Sequence, residues 1–189
     1  MTKAISHAAP DDQTDLLRQV GSLCHAIRWI AVGWIAWALI VVVHRWSDVE
    51  AIKRGWGRLL GRDLAALPAM HHAAAFAAVL ADWAVSAAVV VFVWRLFGCY
   101  LRGSIITDVA ATQMRNLGMA GVAAVIVDML VRPLVGVVLT WHLSSGAPRA
   151  AFWVEPNDIL HVLMALFVVA VAYIQRSGAA LADDNRLIV

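Results

Sequence analysis

Residues 117–143 read LGMAGVAAVIVDMLVRPLVGVVLTWHL, an apolar run whose interior carries one acid, Asp128, one base, Arg132, and a proline, Pro133. It is longer than the ~20 residues that carry a helix across a ~30 Å hydrocarbon core. Three further runs of the same kind lie at 26–44, 73–97 and 153–175. With 62% hydrophobic residues and a mean hydropathy of +0.75, the chain has little sequence left for a water-soluble domain. The expectation is an all-α, polytopic membrane protein with a single four-helix transmembrane domain over 1–189. Its surroundings are the lipid bilayer.

Composition removes several functions. The formal net charge is +2 and the basic residues are dispersed, so direct nucleic-acid binding is not expected. No nucleophile–base pair, phosphate loop or tight metal motif is present, so no catalytic residue is assigned and the chain reads as non-enzymatic. Asp11, Asp12 and Asp15 precede the first span where a signal peptide would carry positive charge, so this span reads as retained. Cys24 and Cys99 read as free thiols.

The connection 45–72 is amphipathic. Trp46, Val49, Ile52, Trp56, Leu59, Leu60, Leu64 and Leu67 recur at steps of three and four, with Arg45, Lys53, Arg54, Arg58 and Arg62 on the other side. This pattern predicts either an interfacial helix in the first external loop or a loop helix packed over the bundle mouth, broken into two pieces by Gly55, Gly57 and Gly61. Residues 14–27 continue helical spacing into the first span. Thr107-Asp108 reads as the N-terminal cap of the third membrane helix, about two turns before the bilayer. Ala73, Ala77 and Ala81, spaced by four, predict a close helix–helix approach. Eight basic residues on one side against six on the other lean toward both termini being cytoplasmic.

Two segments are more specific. Leu96-Phe97-Gly98-Cys99-Tyr100-Leu101-Arg102-Gly103-Ser104-Ile105-Ile106-Thr107 and Arg176-Ser177-Gly178-Ala179-Ala180-Leu181-Ala182-Asp183-Asp184-Asn185-Arg186-Leu187-Ile188-Val189 resemble the hairpin after the second span and the terminal pattern of a bacterial four-helix membrane family, domain of unknown function 2975. Gly98-Cys99 and the Asp-Asp pair depart from that family's more usual residues. The resemblance implies a bacterial inner-membrane location, cytoplasmic termini and a cytoplasmic hairpin. It also implies a regulatory role beside a soluble helix-turn-helix regulator. It carries over no catalytic residues.

Helical rise at 1.5 Å per residue sets the depth of the intramembrane polar groups. Asp82, Asp128 and His161 fall ~20–22 Å from the cytoplasmic arginines, and Arg132 and Asp158 about one turn further. Charges at such depth are expensive unless they face one another or water. Asp82, Asp128, Arg132, Asp158 and His161 are therefore predicted to form a buried polar network, with Asp128 and Arg132 pairing across one helical turn. His44, His71, His72, His142, Glu155 and His161 gather toward the same end. They form a candidate donor set for a metal or haem, although no cofactor is required by any motif.

Three functions follow. The first is a membrane regulatory or signalling partner of a soluble cytoplasmic protein, held through Arg102, Asp183, Asp184 and Asn185. The second is a proton-, cation-, metal- or haem-binding membrane protein. The third is a structural subunit of a membrane complex. Oligomeric state, partner and ligand have no sequence signal. The topology is directly testable. A reporter that works only in the cytoplasm is expected to be active when fused after Val189 and inactive when inserted beside Gly57, and the opposite pattern inverts the map.

Overall fold

A computed structural model describes residues 10–103, 107–143, 148–150 and 152–186, with side chains described from residue 21 to residue 180 within those ranges. Five helices follow in chain order: α1 Pro10–Ser47, α2 Val49–Leu60, α3 Ala69–Leu101, α4 Asp108–Thr140 and α5 Pro156–Arg186. Four of them contain stretches long and apolar enough to cross a membrane: Gly21–Ser47, Ala69–Leu101, Asp108–Thr140 and Pro156–Ala180. The chain is thus an all-helical, multi-pass membrane protein. The entry segment from residue 14 and the first span form one continuous helix.

Local chemistry explains the helix ends. At α4 the Thr107 side chain accepts a hydrogen bond from the Ala110 amide, which satisfies one of the unpaired donors of the first turn. α4 therefore begins nine residues before the apolar run, as the cap predicts, and it stops at Thr140 rather than Leu143. At α2 the Asp48 carboxylate accepts from the Ala51 amide at 2.9 Å. The expected breaks at Gly55 and Gly57 do not occur. Both glycines lie inside α2, and only Gly61, at φ 61°, ends it. Gly57 is needed for a different reason, because a Cβ there would meet the Arg62 carbonyl oxygen at 2.8 Å, where the chain turns back.

α1 packs on α3, α3 on α4, and α4 on α5. Among the described residues α1 and α5 share no comparable contact, so the row of helices is least closed on that side. The apolar core gathers at the α2 end. Trp46, Ile52, Leu64 and Leu67 from the first loop region are buried against Ala75 of α3 and Val135 and Leu139 of α4. α2 thus packs over the mouth of the bundle through Ile52 and Leu60, while Leu59 stays exposed. Arg149 fastens this cap. Its amide donates to the Thr140 hydroxyl at 2.9 Å and its guanidinium reaches the Leu60 carbonyl at 3.5 Å.

The close helix approach is not where the alanine stripe predicts it. Ala73, Ala77 and Ala81 are exposed. α3 is apolar all round, so small residues on it do not identify the packed face. The tight contact lies instead between α4 and α5. A Cβ added to Gly118 would sit 2.5 Å from the Val169 Cγ2 atom and 2.9 Å from the Ala165 carbonyl oxygen, and one on Gly121 would sit 3.1 Å from the Ala165 Cβ. Between α1 and α3 the Trp83 indole donates to the Ile35 carbonyl at 3.0 Å, deep in both spans. At the far end the Arg28 guanidinium lies 3.7 Å over the Trp94 ring, which also meets Trp29 edge-on. Cys24 and Cys99 are free and buried near that end.

Gly118→Leu is expected to force α4 and α5 apart, because two of the three atoms crowding its Cβ are backbone and cannot swing away. The overpacking cost is about 1–3 kcal/mol, read by unfolding in detergent. Ala77→Leu, on an exposed face, is expected to be neutral by comparison.

Candidate functional site

The polar residues of three spans meet in the half of the bundle nearer α2. Arg132 on α4 is their organiser. Its guanidinium binds Asp158 of α5 through two parallel hydrogen bonds, Nη1 to Oδ2 at 2.8 Å and Nη2 to Oδ1 at 2.9 Å. It also holds Asp128, one turn back on its own helix, through Nε at 3.3 Å and through a second, shorter bond from Nη2. The planar fork of arginine suits this bidentate geometry, and lysine does not. Asp158 is 4% exposed, so its charge is compatible with the fold only because it is fully paired.

Asp158 has a second task. Its Oδ2 atom accepts the Glu155 amide at 2.8 Å. Glu155-Pro156-Asn157-Asp158 is the start of α5, with proline at the first helical position and the carboxylate at the third reaching back to the capping residue. The predicted Asp128–Arg132 pair is present. The Arg132–Asp158 bond was not read from the sequence, although the Glu-Pro-x-Asp pattern already places Asp158 as an anchored carboxylate.

Asp82 and His161 complete the predicted network differently. Both line a cavity of about 430 Å³ to which all four spans contribute, and Asp128 and Asp158 border it as well. Arg132 engages Asp128 and Asp158 and makes no hydrogen bond to Asp82. The Oδ1 atom of Asp82 is sealed from solvent and has no hydrogen-bond partner. Trp34 and Ser86, which the sequence reading did not single out, also line this cavity. Ser86 stands one turn beyond Asp82 on α3, so helical spacing alone would have brought it forward.

The histidines divide into separate neighbourhoods. His71 and His142 face each other with ring centroids 5.3 Å apart, and His72 packs on Trp46 at 5.4 Å. His44 is exposed at the end of α1, and Glu155 accepts the Trp153 indole N–H at 3.1 Å. Among the described residues no three His, Cys, Asp or Glu side chains are grouped closely enough to hold a metal ion. The sixfold donor set therefore does not assemble into one centre. Of the predicted partner-binding residues, Arg102 caps α3 and donates to the Cys99 thiol at 3.4 Å. The side chains of Asp183, Asp184 and Asn185 lie outside those described.

No protein-family model, curated protein or solved structure matches this chain.

Two outcomes are expected. Arg132→Leu leaves two carboxylates without their counter-charge and lowers the melting temperature sharply. Arg132→Leu combined with Asp128→Leu and Asp158→Asn recovers much of the loss, and a triple variant no better than the single one refutes the clamp. The second concerns His142, which follows the end of α4 and lies outside its span. Burial, reinforced by the facing His71, pushes its pKa below the ordinary 6.5. The unfolded chain then binds more protons than the folded one, so this stability is present above pH 6.5 and is lost as pH falls through the lowered value. His142→Gln is expected to flatten that acid limb of the melting curve.

Proposed function

We propose that this membrane protein binds a small positively charged species in the cavity between its four spans, with Asp82 as the group that receives it. The single observation behind this reading is the half-buried Asp82 carboxyl, which lines a cavity of about 430 Å³ and whose Oδ1 atom has no hydrogen-bond partner. Asp128 and Asp158 are both bonded to Arg132, which leaves Asp82 as the cavity carboxyl with no such partner. A carboxyl group at membrane depth is expensive and is retained where it has a proton, a cation or a partner to hold. The reading is non-enzymatic. A bacterial inner membrane and cytoplasmic termini, with kinship to the family of unknown function that the hairpin and tail resemble, belong to the same proposal.

A second reading is favoured by one further observation. α5 remains helical to Arg186 and so carries Asp183, Asp184 and Asn185 on its last turns. This suits a docking arm for a soluble regulator. In that case removing 177–189 abolishes association with a helix-turn-helix partner while leaving insertion and the cavity intact.

The cation reading is tested by thermal unfolding in lipid nanodiscs with sodium, potassium or ammonium chloride at constant ionic strength. A ligand at 100 times its dissociation constant stabilises the folded state by about 2.7 kcal/mol. Stabilisation by at least one cation, lost in Asp82→Asn and weakened at low pH where protons compete, is the expected result. Melting that is indifferent to every cation, or equal in the Asn variant, sinks the reading.

A further inference from the structure

The walls of the cavity say more than the charge of its carboxyl. Asp82, Asp128, Asp158 and His161 line the end of the cavity nearer α2, Ser86 follows one turn along α3, and beyond them the wall is apolar, with Val89 on α3 and Val125 on α4. Gly121, also on α4, lines the cavity with no side chain of its own. A volume of about 430 Å³ lies in the range of small-molecule sites, ~300–1,000 Å³, and far exceeds the ~30 Å³ that a water occupies in the liquid. Inorganic cations that shed their water need several oxygen ligands arranged around them. Here one carboxylate is free, because Arg132 holds the other two.

The rim is informative too. Trp34 of α1 lines the cavity and yet is 60% exposed, and His161 of α5 lines it and is exposed as well. These two helices stand at the ends of the row α1–α3–α4–α5 and share no comparable contact among the described residues. The cavity therefore reaches the lipid-facing surface between α1 and α5, rather than opening only at an end of the bundle.

We propose that the ligand is an amphiphilic organic monocation, an ammonium group on a compact apolar body, that enters from the bilayer between α1 and α5. This rests on the cation reading above and specifies its ligand. The ammonium donates to the Asp82 carboxylate and the Ser86 hydroxyl. The apolar body fills the space along Val89 and Val125. The Trp34 indole at the entrance offers a π face to the passing charge and an apolar surface to the body.

The probe is 1-adamantylamine, with 1-adamantanol as its uncharged counterpart of the same shape. Binding is measured by equilibrium dialysis against protein in nanodiscs, with empty nanodiscs subtracted. The expected result is saturable amine binding that the alcohol does not displace. Asp82→Asn weakens it at least tenfold, Asp82→Glu restores part of it, and Val89→Phe abolishes it by filling the cavity. Should Asp82→Asn fail to fold, the Glu and Phe variants carry the comparison. Amine uptake no greater than that of empty discs, displacement by the alcohol, or an affinity unchanged by Val89→Phe overturns the proposal. If inorganic cations stabilise the protein through Asp82 and the amine does not bind, the amphiphile is wrong and the cation reading stands. If neither acts, both fall.

Discussion

Arg132 is the constraint on which the rest of the membrane half nearer α2 depends. A guanidinium in a span has no water to lean on, so its position dictates where carboxylates must be. One comes from its own helix and one from α5. The pairing fixes the register of α5 against α4, and the glycines at 118 and 121 then permit the two backbones to approach. Asp158 transmits the same constraint into the loop, because the carboxylate that binds Arg132 also receives the Glu155 amide. One cation thereby sets a helix start, a helix–helix register and the floor of a cavity.

The cavity itself is the complement of that clamp. Arg132 binds two carboxylates and neutralises one charge, so the polar layer is acidic even before Asp82 is counted. Asp82 stands opposite the clamp with no partner, on a helix otherwise chosen for contact with lipid and neighbouring spans. Retaining it costs stability that an apolar residue would not. A ligand that neutralises it returns that cost, so occupancy and stability are linked.

Much of this was legible in the chain. Span length and hydropathy require the four membrane helices, and Thr107-Asp108 marked the true start of α4. Helical rise placed Asp82, Asp128, Arg132, Asp158 and His161 within about one turn of one another in depth, and the first and last of these share a cavity with the two acids of the clamp. What remained illegible depends on rotation rather than depth. Hydropathy is uniform around α3, so nothing in it distinguishes the exposed face of Ala73, Ala77 and Ala81 from the buried face of Ala75. The histidines share a level with one another yet point to separate neighbours, which is why a shared depth did not become a metal centre. Gly55 and Gly57 were misjudged for a related reason. Low helix propensity is overridden when a helix is held by its packing, as α2 is through Ile52 and Leu60.

The cap over the α2 end also has a history in time. Trp46, Ile52, Leu64 and Leu67 leave the ribosome early, but Val135 and Leu139, against which they pack, are made much later. Arg149, which ties α2 to the end of α4, follows later still. During synthesis the first two spans therefore precede the α4 part of the surface on which this segment packs. The complete packing surface for α2 exists only once α4 and Arg149 have been made, so the cap over this end of the bundle stays unfinished until then.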